Sequence, residues 1–262
     1  MATRGAEPLT AAELAAFRSL DAATLFFARA EVEGAISEDY TGPEVRCFSP
    51  ELGPVVGYAV TSEWTLIDQV SPDLDVVDYY EWITTQPGPR VAVMKDVDPR
   101  AGRAAAIGPM QARTLRRLGV EGIVASVAVM KPEPVRAAGM PVWSTGVAPA
   151  HGSYHLVRYG APVEVGQVTW RTGDLVFADA TGAIRIPAER ARQVLAKATE
   201  PGESGGPSYF DVIDAPDFSI DRLRAWMAAH PTIYPPVDPG AKDRWWAAHG
   251  GGLAPRGSGA KE

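Results

Sequence analysis

The 262 residues contain one cysteine, Cys47. No intrachain disulfide and no thiolate metal cluster can therefore form, and Cys47 reads as a small buried or half-buried apolar residue rather than a nucleophile. No run of about 18 apolar residues occurs, which excludes a membrane-spanning helix. The opening MATRGAEPLTAAELAAF has early acidic residues and no apolar core segment, so no secretion signal is expected and the expected compartment is the cytoplasm. Positive charge is also short, with 25 Lys and Arg against 32 Asp and Glu and a net charge of -7. A nucleic acid held through its phosphates needs a basic face, so no nucleic-acid or membrane partner is expected. The only lysines are Lys95, Lys131, Lys197, Lys242 and Lys261. A lysine at the end of a buried strand therefore stands out.

What is present is patterned for a mixed fold. The length and the 46% hydrophobic content suit one sizeable domain with appendages. Residues 1–8 read as a mobile leader. Thr10, with Glu13 three positions on, opens a helix over AAELAAFRSL, and Asp21 opens a second, short one through Phe27. Residues 30–50 show no clear periodicity. Pro54 to Leu66 is strand-like, Leu74 to Ile83 leans helical, and Pro89 to Met94 reads as a strand ending at Lys95-Asp96-Val97-Asp98. A small-residue loop, PRAGRAAAIG, leads into a helix with Pro109 in its first turn and Gly119 past its end. Strand, helix and strand then alternate to Trp143, which predicts α/β units with parallel pairing.

From Pro162 the pattern changes to three short β runs separated by Gly-Gln, Thr-Gly-Asp and Ala-Thr-Gly turns, an antiparallel meander. An amphipathic helix over Pro187–Ala198 closes the domain. Residues 201–216 read as a Gly/Pro/Ser linker, followed by a helix over about Ser219–Ala229 and an extension carrying Trp245-Trp246. Those tryptophans and Trp226 are expected to pack on their own subunit or a neighbour. The resulting division is leader and helix start over 1–18, a domain over 19–200, and linker with extension over 201–262.

The most informative stretch is Gly122–Trp143, GIVASVAVMKPEPVRAAGMPVW. With Val55-Val-Gly-Tyr-Ala-Val-Thr, Gly108 and its helix carrying Ala112, and the 162–187 segment, it resembles the RraA-like family, which includes 4-hydroxy-4-methyl-2-oxoglutarate aldolases. The four blocks stand in family order over roughly residues 20–200. The resemblance implies an α/β fold, a swivelling β/β/α domain to which this chain adds a C-terminal helical or irregular extension, assembled as a homotrimer or hexamer with its site at the subunit interface. It also implies cleavage or decarboxylation of 2-oxo acids, with a divalent metal such as Mg polarising the oxo group. The family strand ends Asp-Gly-Ala-Val-Arg-Asp; here Ser126, Val127, Ala128, Val129, Met130 and Lys131 stand in those places. The family Glu after the helix-opening Gly is Pro109. Met130 cannot supply a bidentate fork to a carboxylate, and Lys131 sets an ammonium where a metal ligand is expected. No metal site and no cofactor are therefore expected.

Lys131 becomes the first catalytic candidate: it can offer positive charge to a developing enolate, or act as a base or Schiff-base amine if desolvated. His151 and His155, with Tyr154 between them, are acid–base candidates. Gly152-Ser153 argues against the helix on which their spacing would suit a metal. Asp96 and Asp98, at the end of a parallel strand, are candidates to orient substrate, with Ser126 and Met130 beside them. Gly102, Ala104–Ala106 and Gly108 form a loop suited to backbone contacts with an anion, and Met110 and Gln111 would supply N–H groups at the helix start. Three functions compete. They are a metal-independent lyase-like enzyme on a small carbonyl or carboxylate compound with Lys131 central, a non-catalytic trimeric interaction protein, and a family aldolase or decarboxylase with metal on Asp96, Asp98 or a histidine.

Overall fold

A computed structural model of the chain describes residues 7–67, 74–200, 209–232, 234–236, 238 and 240–248. It divides into two compact units, Met1–Pro201 and Gly202–Glu262. In the first unit α1 (Ala11–Arg18) starts where expected: the Thr10 hydroxyl accepts from the Glu13 amide and the Glu13 carboxylate from the Thr10 amide. Of the expected leader, residues 1–6 lie outside the described residues. Helix α2 (Ala22–Glu33) is capped by Asp21 and runs past Phe27 to Gly34, whose φ of 69° ends it. Its second half buries Ala28, Arg29 and Ala30, packing that a short helix would forgo.

The chain continues through β1 (Arg46–Cys47), β2 (Val55–Thr65), α3 (Val76–Thr85), β3 (Arg90–Asp96), β4 (Ala105–Ile107), α4 (Pro109–Arg117) and β5 (Val120–Ala125). Next come β6 (Ala128–Val129), α5 (Pro132–Ala137), β7 (Val142–Ser144), β8 (His155–Tyr159), β9 (Val163–Val165), β10 (Val168–Trp170), β11 (Leu175–Asp179), β12 (Gly182–Ile186) and α6 (Ala191–Ala198). The main sheet runs β1-β7-β5-β3-β2-β11-β12, with β8 also on β2. Strands β2, β3, β5 and β7 are parallel neighbours, while β11 and β8 share the far edge of β2 in antiparallel register.

All eleven residues of β2 are buried because both faces of the sheet are covered. Val56, Tyr58, Val60 and Trp64 face the helix side, where α1, α2 and α6 cover one end and α3, α4 and α5 the other. Val55 and Ala59, with Val91, Val93, Val124 and Trp143, face a layer made by β9 and β10. Hairpin, sheet and helices are thus three layers, the expected β/β/α arrangement. Gly57 is needed where β2 passes the start of β3: a Cβ there would lie 2.8 Å from the Pro89 carbonyl oxygen. Trp64, Trp143 and Trp170 are fully buried, a kind of burial whose loss typically costs about 3–5 kcal/mol.

Two readings of local structure change. The expected three-run meander is four strands in two hairpins that belong to different sheets. Gly166 and Gln167, with φ of 61° and 67°, make a two-residue turn that closes β9 on β10. Gly173, at φ 95°, then redirects the chain into the main sheet. The loop expected at PRAGRAAAIG contains β4, which pairs in parallel with β6. The region without periodicity, 30–50, is organised by charge: Asp39 accepts from Arg29 at 2.8 Å and from Arg185 at 2.6 Å, tying α2 to β12. Burial alone would raise the Asp39 pKa, but the two guanidinium groups hold it below its ordinary value.

The second unit has α7 (Tyr209–Ile213), α8 (Ile220–Ala229) and α9 (Ala241–Ala248). The expected linker therefore includes a helix at 209–213, while 201–208 lie outside the described residues. Trp226 is buried among Tyr209, His230 and Tyr234 of its own unit, as expected of it. Trp245 is exposed, and the Trp246 side chain lies outside the described residues. No helix among the described residues is long and apolar enough to cross a membrane.

Candidate functional site

The residues singled out in the sequence fall into three places. The first is built by two strand-to-helix junctions laid side by side. Strand β4 runs through Gly108 into α4, and β6 runs through Met130 and Lys131 into α5. The strands are parallel, with Ala105 opposite Ala128 and Ile107 opposite Val129, and the Met130 amide donates to the Ile107 carbonyl at 2.7 Å. Both helices therefore start at the same end of this small sheet. Val147 joins it through a parallel bridge to Val129.

At α4, Gly108 is an extended N-cap without a side chain, and the first helical bond is Ala112 N–H to the Gly108 carbonyl at 2.9 Å. Pro109 has no N–H, so Met110 and Gln111 carry the uncapped amides of the first turn. The Met130 thioether covers this end; a Cβ built on Gly108 would lie 3.6 Å from its Cε. Met110 is 77% exposed and Val147 55%, giving the junction an apolar rim. Two of the other expected anion-binding amides are spent. Gly102 N–H donates to Asp96 Oδ2 at 2.7 Å and Ala105 N–H to the Ala150 carbonyl at 3.0 Å.

Lys131 is the N-cap of α5 in the left-handed conformation, φ 55° and ψ 66°. A residue before proline is denied the right-handed helical region, and the left-handed well costs a non-glycine residue about 1–2 kcal/mol. Its side chain is exposed and makes no ion pair with a described residue.

The second place is internal. Asp96, Asp98 and Ser126 sit at the carboxyl ends of β3 and β5, and both aspartates are buried. Asp96 Oδ1 accepts from the Asp98 amide at 2.9 Å, and the Asp96 amide donates to Ser126 Oγ at 2.8 Å. Asp98 accepts from the Thr65 hydroxyl at 2.5 Å and from the Leu66 and Ile67 amides at 2.7 and 3.2 Å. These carboxylates bind their own chain and so join the ends of β2, β3 and β5 and the turn into β4. Thr65, a partner the sequence reading missed, carried no local signal. The bond from the Asp98 amide to Asp96 Oδ1 is an Asx turn, for which the Asp-x-Asp spacing is suited.

Burial pushes the Asp96 carboxyl above its ordinary value, with the Asp98 charge adding to the rise and the two backbone N–H donors opposing it. The fold therefore favours protonated Asp96. That contribution is complete below about pH 3.8, the ordinary value, and is lost as pH rises through the raised one. The stability advantage of the parent over Asp96→Asn should accordingly shrink as pH rises above about 3.8 in urea unfolding; a difference that stays flat would contradict it.

The third place holds the histidines. His155 lies on β8 opposite Thr65 and lines a cavity of about 550 Å³ with Trp64, Asp75 and Tyr154. His151 is exposed, its Nδ1 2.7 Å from the Gly152 carbonyl oxygen and its ring edge-on to Tyr154 at 5.8 Å. As expected, no helix joins the two histidines; Gly152 has φ 59°. Ala150 meets Ala105 at the start of β4, whereas Met130 meets Ile107 at its end. The histidine loop and Lys131 thus approach opposite ends of that strand.

Comparison with known proteins agrees with this architecture. Protein DlpA of Legionella pneumophila is 30% identical over 92 residues, which are 34% of this chain and 15% of that protein, so the chain spans a small part of its relative. Among solved structures, one described as novel cellulases from microbes associated with the gut ecosystem superposes with TM-score 0.64 at 18% identity. That match covers 76% of this chain and 87% of the other. Streptomyces coelicolor RraAS2, described as an unusual member of the RNase ES inhibitor RraA family, superposes with TM-score 0.58 at 24% identity, covering 73% and 92%. At these identities the likeness is one of fold. The family model described as RraA-like, Aldolase/RraA, matches residues 30–185, more than half of the chain and the whole of the layered sheet from β1 to β11. The chain belongs to the RraA-like family.

Proposed function

We propose that this protein is a divergent RraA-like enzyme that works without a metal ion on a small carboxylate-bearing carbonyl compound, by proton transfer or C–C bond cleavage. The observation that carries the reading is the junction of β4–α4 with β6–α5. Two uncapped amides, the positive end of a nine-residue helix and a strained Lys131, in no ion pair with a described residue, stand there together. The α4 amides hold the carboxylate, and the Lys131 ammonium stabilises the negative charge that develops on the carbonyl oxygen as an enolate forms. The protein assembles as a homotrimer or hexamer, and the exposed Met110 and Val147 support burial of this rim against a neighbour.

The donor set supports the absence of a metal step. A divalent cation needs several oxygen or imidazole donors converging on one point. Among the described residues no three His, Cys, Asp or Glu side chains are so grouped. Asp96 and Asp98 spend their oxygens on backbone amides and Thr65, and the remaining position carries an ammonium. These residues do not fit the family's metal. The test is turnover of a panel of small 2-oxo and 2-hydroxy acids with and without EDTA. Turnover unchanged by the chelator is expected; activity that vanishes with EDTA and returns with magnesium or manganese would sink the reading.

A further inference from the structure

The cavity beside the histidine loop takes no part in the chemistry proposed for Lys131, and its walls are aromatic and apolar. Trp64, only 1% exposed, is its floor; the Tyr154 ring stands 6.0 Å away, centroid to centroid, tilted by 44° and 38% exposed. The volume of about 550 Å³ lies within the range of small-ligand sites, about 300–1,000 Å³. Leu74, Val76 and Leu156 make much of the remaining wall carbon. Asp75 supplies the one carboxylate, and the lining contains no Lys or Arg. Asp75 Oδ1 accepts from the Val77 amide at 2.7 Å, which fixes the carboxylate, while no described residue donates to Oδ2.

A carboxylate over aromatic rings and apolar walls attracts a cation, because the ring faces themselves carry negative potential. Asp75, with Asp78 beside it in the first turn of α3, outweighs the roughly half positive charge of that helix start. Hydrogen bonding decides which cation. A primary ammonium brings three donors, and of the side chains lining the cavity only Asp75 and Tyr154 have an oxygen to offer. A quaternary ammonium has no donor to leave unmet and covers its charge with methyl groups that suit the apolar walls. We propose that this cavity binds a small quaternary ammonium compound, with its charge against Asp75 and its methyl groups against the Tyr154 ring. This ligand is separate from the carboxylate compound of the α4–α5 junction, since the histidine loop meets β4 at its start and Met130, next to Lys131, meets it at its end.

The experiment titrates the full chain with choline and with 3,3-dimethylbutan-1-ol, its neutral carbon isostere, by ligand-observed NMR. It is run in low salt at about pH 8, above the ordinary range of imidazoles. The parent should bind choline at least about fivefold more tightly than the alcohol, and high salt should shrink that preference. Asp75→Asn keeps the helix cap, since asparagine caps as well as aspartate, and should lose most of the preference. Tyr154→Leu should lose it too, whereas Tyr154→Phe keeps the ring and should bind choline as the parent does. Thermal unfolding checks each variant. Tyr154 is exposed, so its leucine variant decides the matter should Asp75→Asn unfold. Equal binding of choline and the alcohol by the parent would make the cavity a plain apolar slot and overturn the proposal, as would binding of neither. An undiminished preference in folded Asp75→Asn or in Tyr154→Leu overturns it as well, because the cation then sits elsewhere on the chain.

Discussion

Lys131→Met should lower turnover by at least about a hundredfold, the usual loss when a preorganised charge is removed from a transition state. Oligomeric state and unfolding midpoint should be unchanged. The side chain is exposed and makes no ion pair with a described residue, so its charge contributes little to the fold. Methionine keeps the length and most of the volume, and it keeps the left-handed strain at φ 55°. Lys131→Gly separates strain from charge. Glycine occupies that conformation freely, so this variant should be more stable by about 1 kcal/mol and equally inactive. Lys131→Arg keeps a positive charge at the junction and should recover part of the activity. Full activity in Lys131→Met, measured as kcat/KM on whichever acid the parent turns over, would refute the catalytic role. Binding without turnover in the parent itself would favour an interaction protein built on the same scaffold.

Asp98→Ala should destabilise the protein by about 3 kcal/mol or more, read as a lower urea midpoint with an unchanged slope. Its two oxygens take a hydroxyl and two backbone N–H donors, of which the Leu66 amide is buried and the Ile67 amide partly so. Hydrogen bonds to a charged group are worth about 1.5–3 kcal/mol each, and stranded donors add their own desolvation cost. The losses are not additive because the end of β2 can partly relax into water. Asp98→Asn should fall between parent and alanine, since an amide presents one oxygen and turns its NH2 against a donor. Catalysis should fail only in proportion to unfolding, because Asp98 binds the chain and not the ligand. A stable Asp98→Ala protein with lost turnover would reverse that assignment and return Asp98 to the substrate.

The two variants mark the limits of the sequence reading. Lys131 was legible because a scarce residue stood at the end of a buried strand, in a place where the resembling family carries an acid. Asp96 and Asp98 were legible as a pair at a strand end, but their partners were not: Thr65 lies 33 positions from Asp98 and Ser126 30 from Asp96. Gln111 was read only as a donor of backbone N–H, and the burial of its side chain is a property of packing. His151 and His155 were read with Tyr154 as acid–base candidates, and the structure places one in an exposed loop and the other on β8.

Elements held by local rules followed from the residues alone. Thr10 and Glu13 fix the start of α1, Asp21 that of α2 and Ser219 that of α8, because a cap is satisfied within three residues. Parallel pairing from β3 to β7 followed from alternating strand and helix signals. What only the tertiary structure decided were pairings too short to carry a period. These are β4 on β6, the splitting of the last four strands between two sheets, and the half-buried Asp39 link between α2 and β12. A three-residue strand or a single ion pair has no repeat along the chain. Each exists because a partner far away in sequence leaves its polar groups no better place to go.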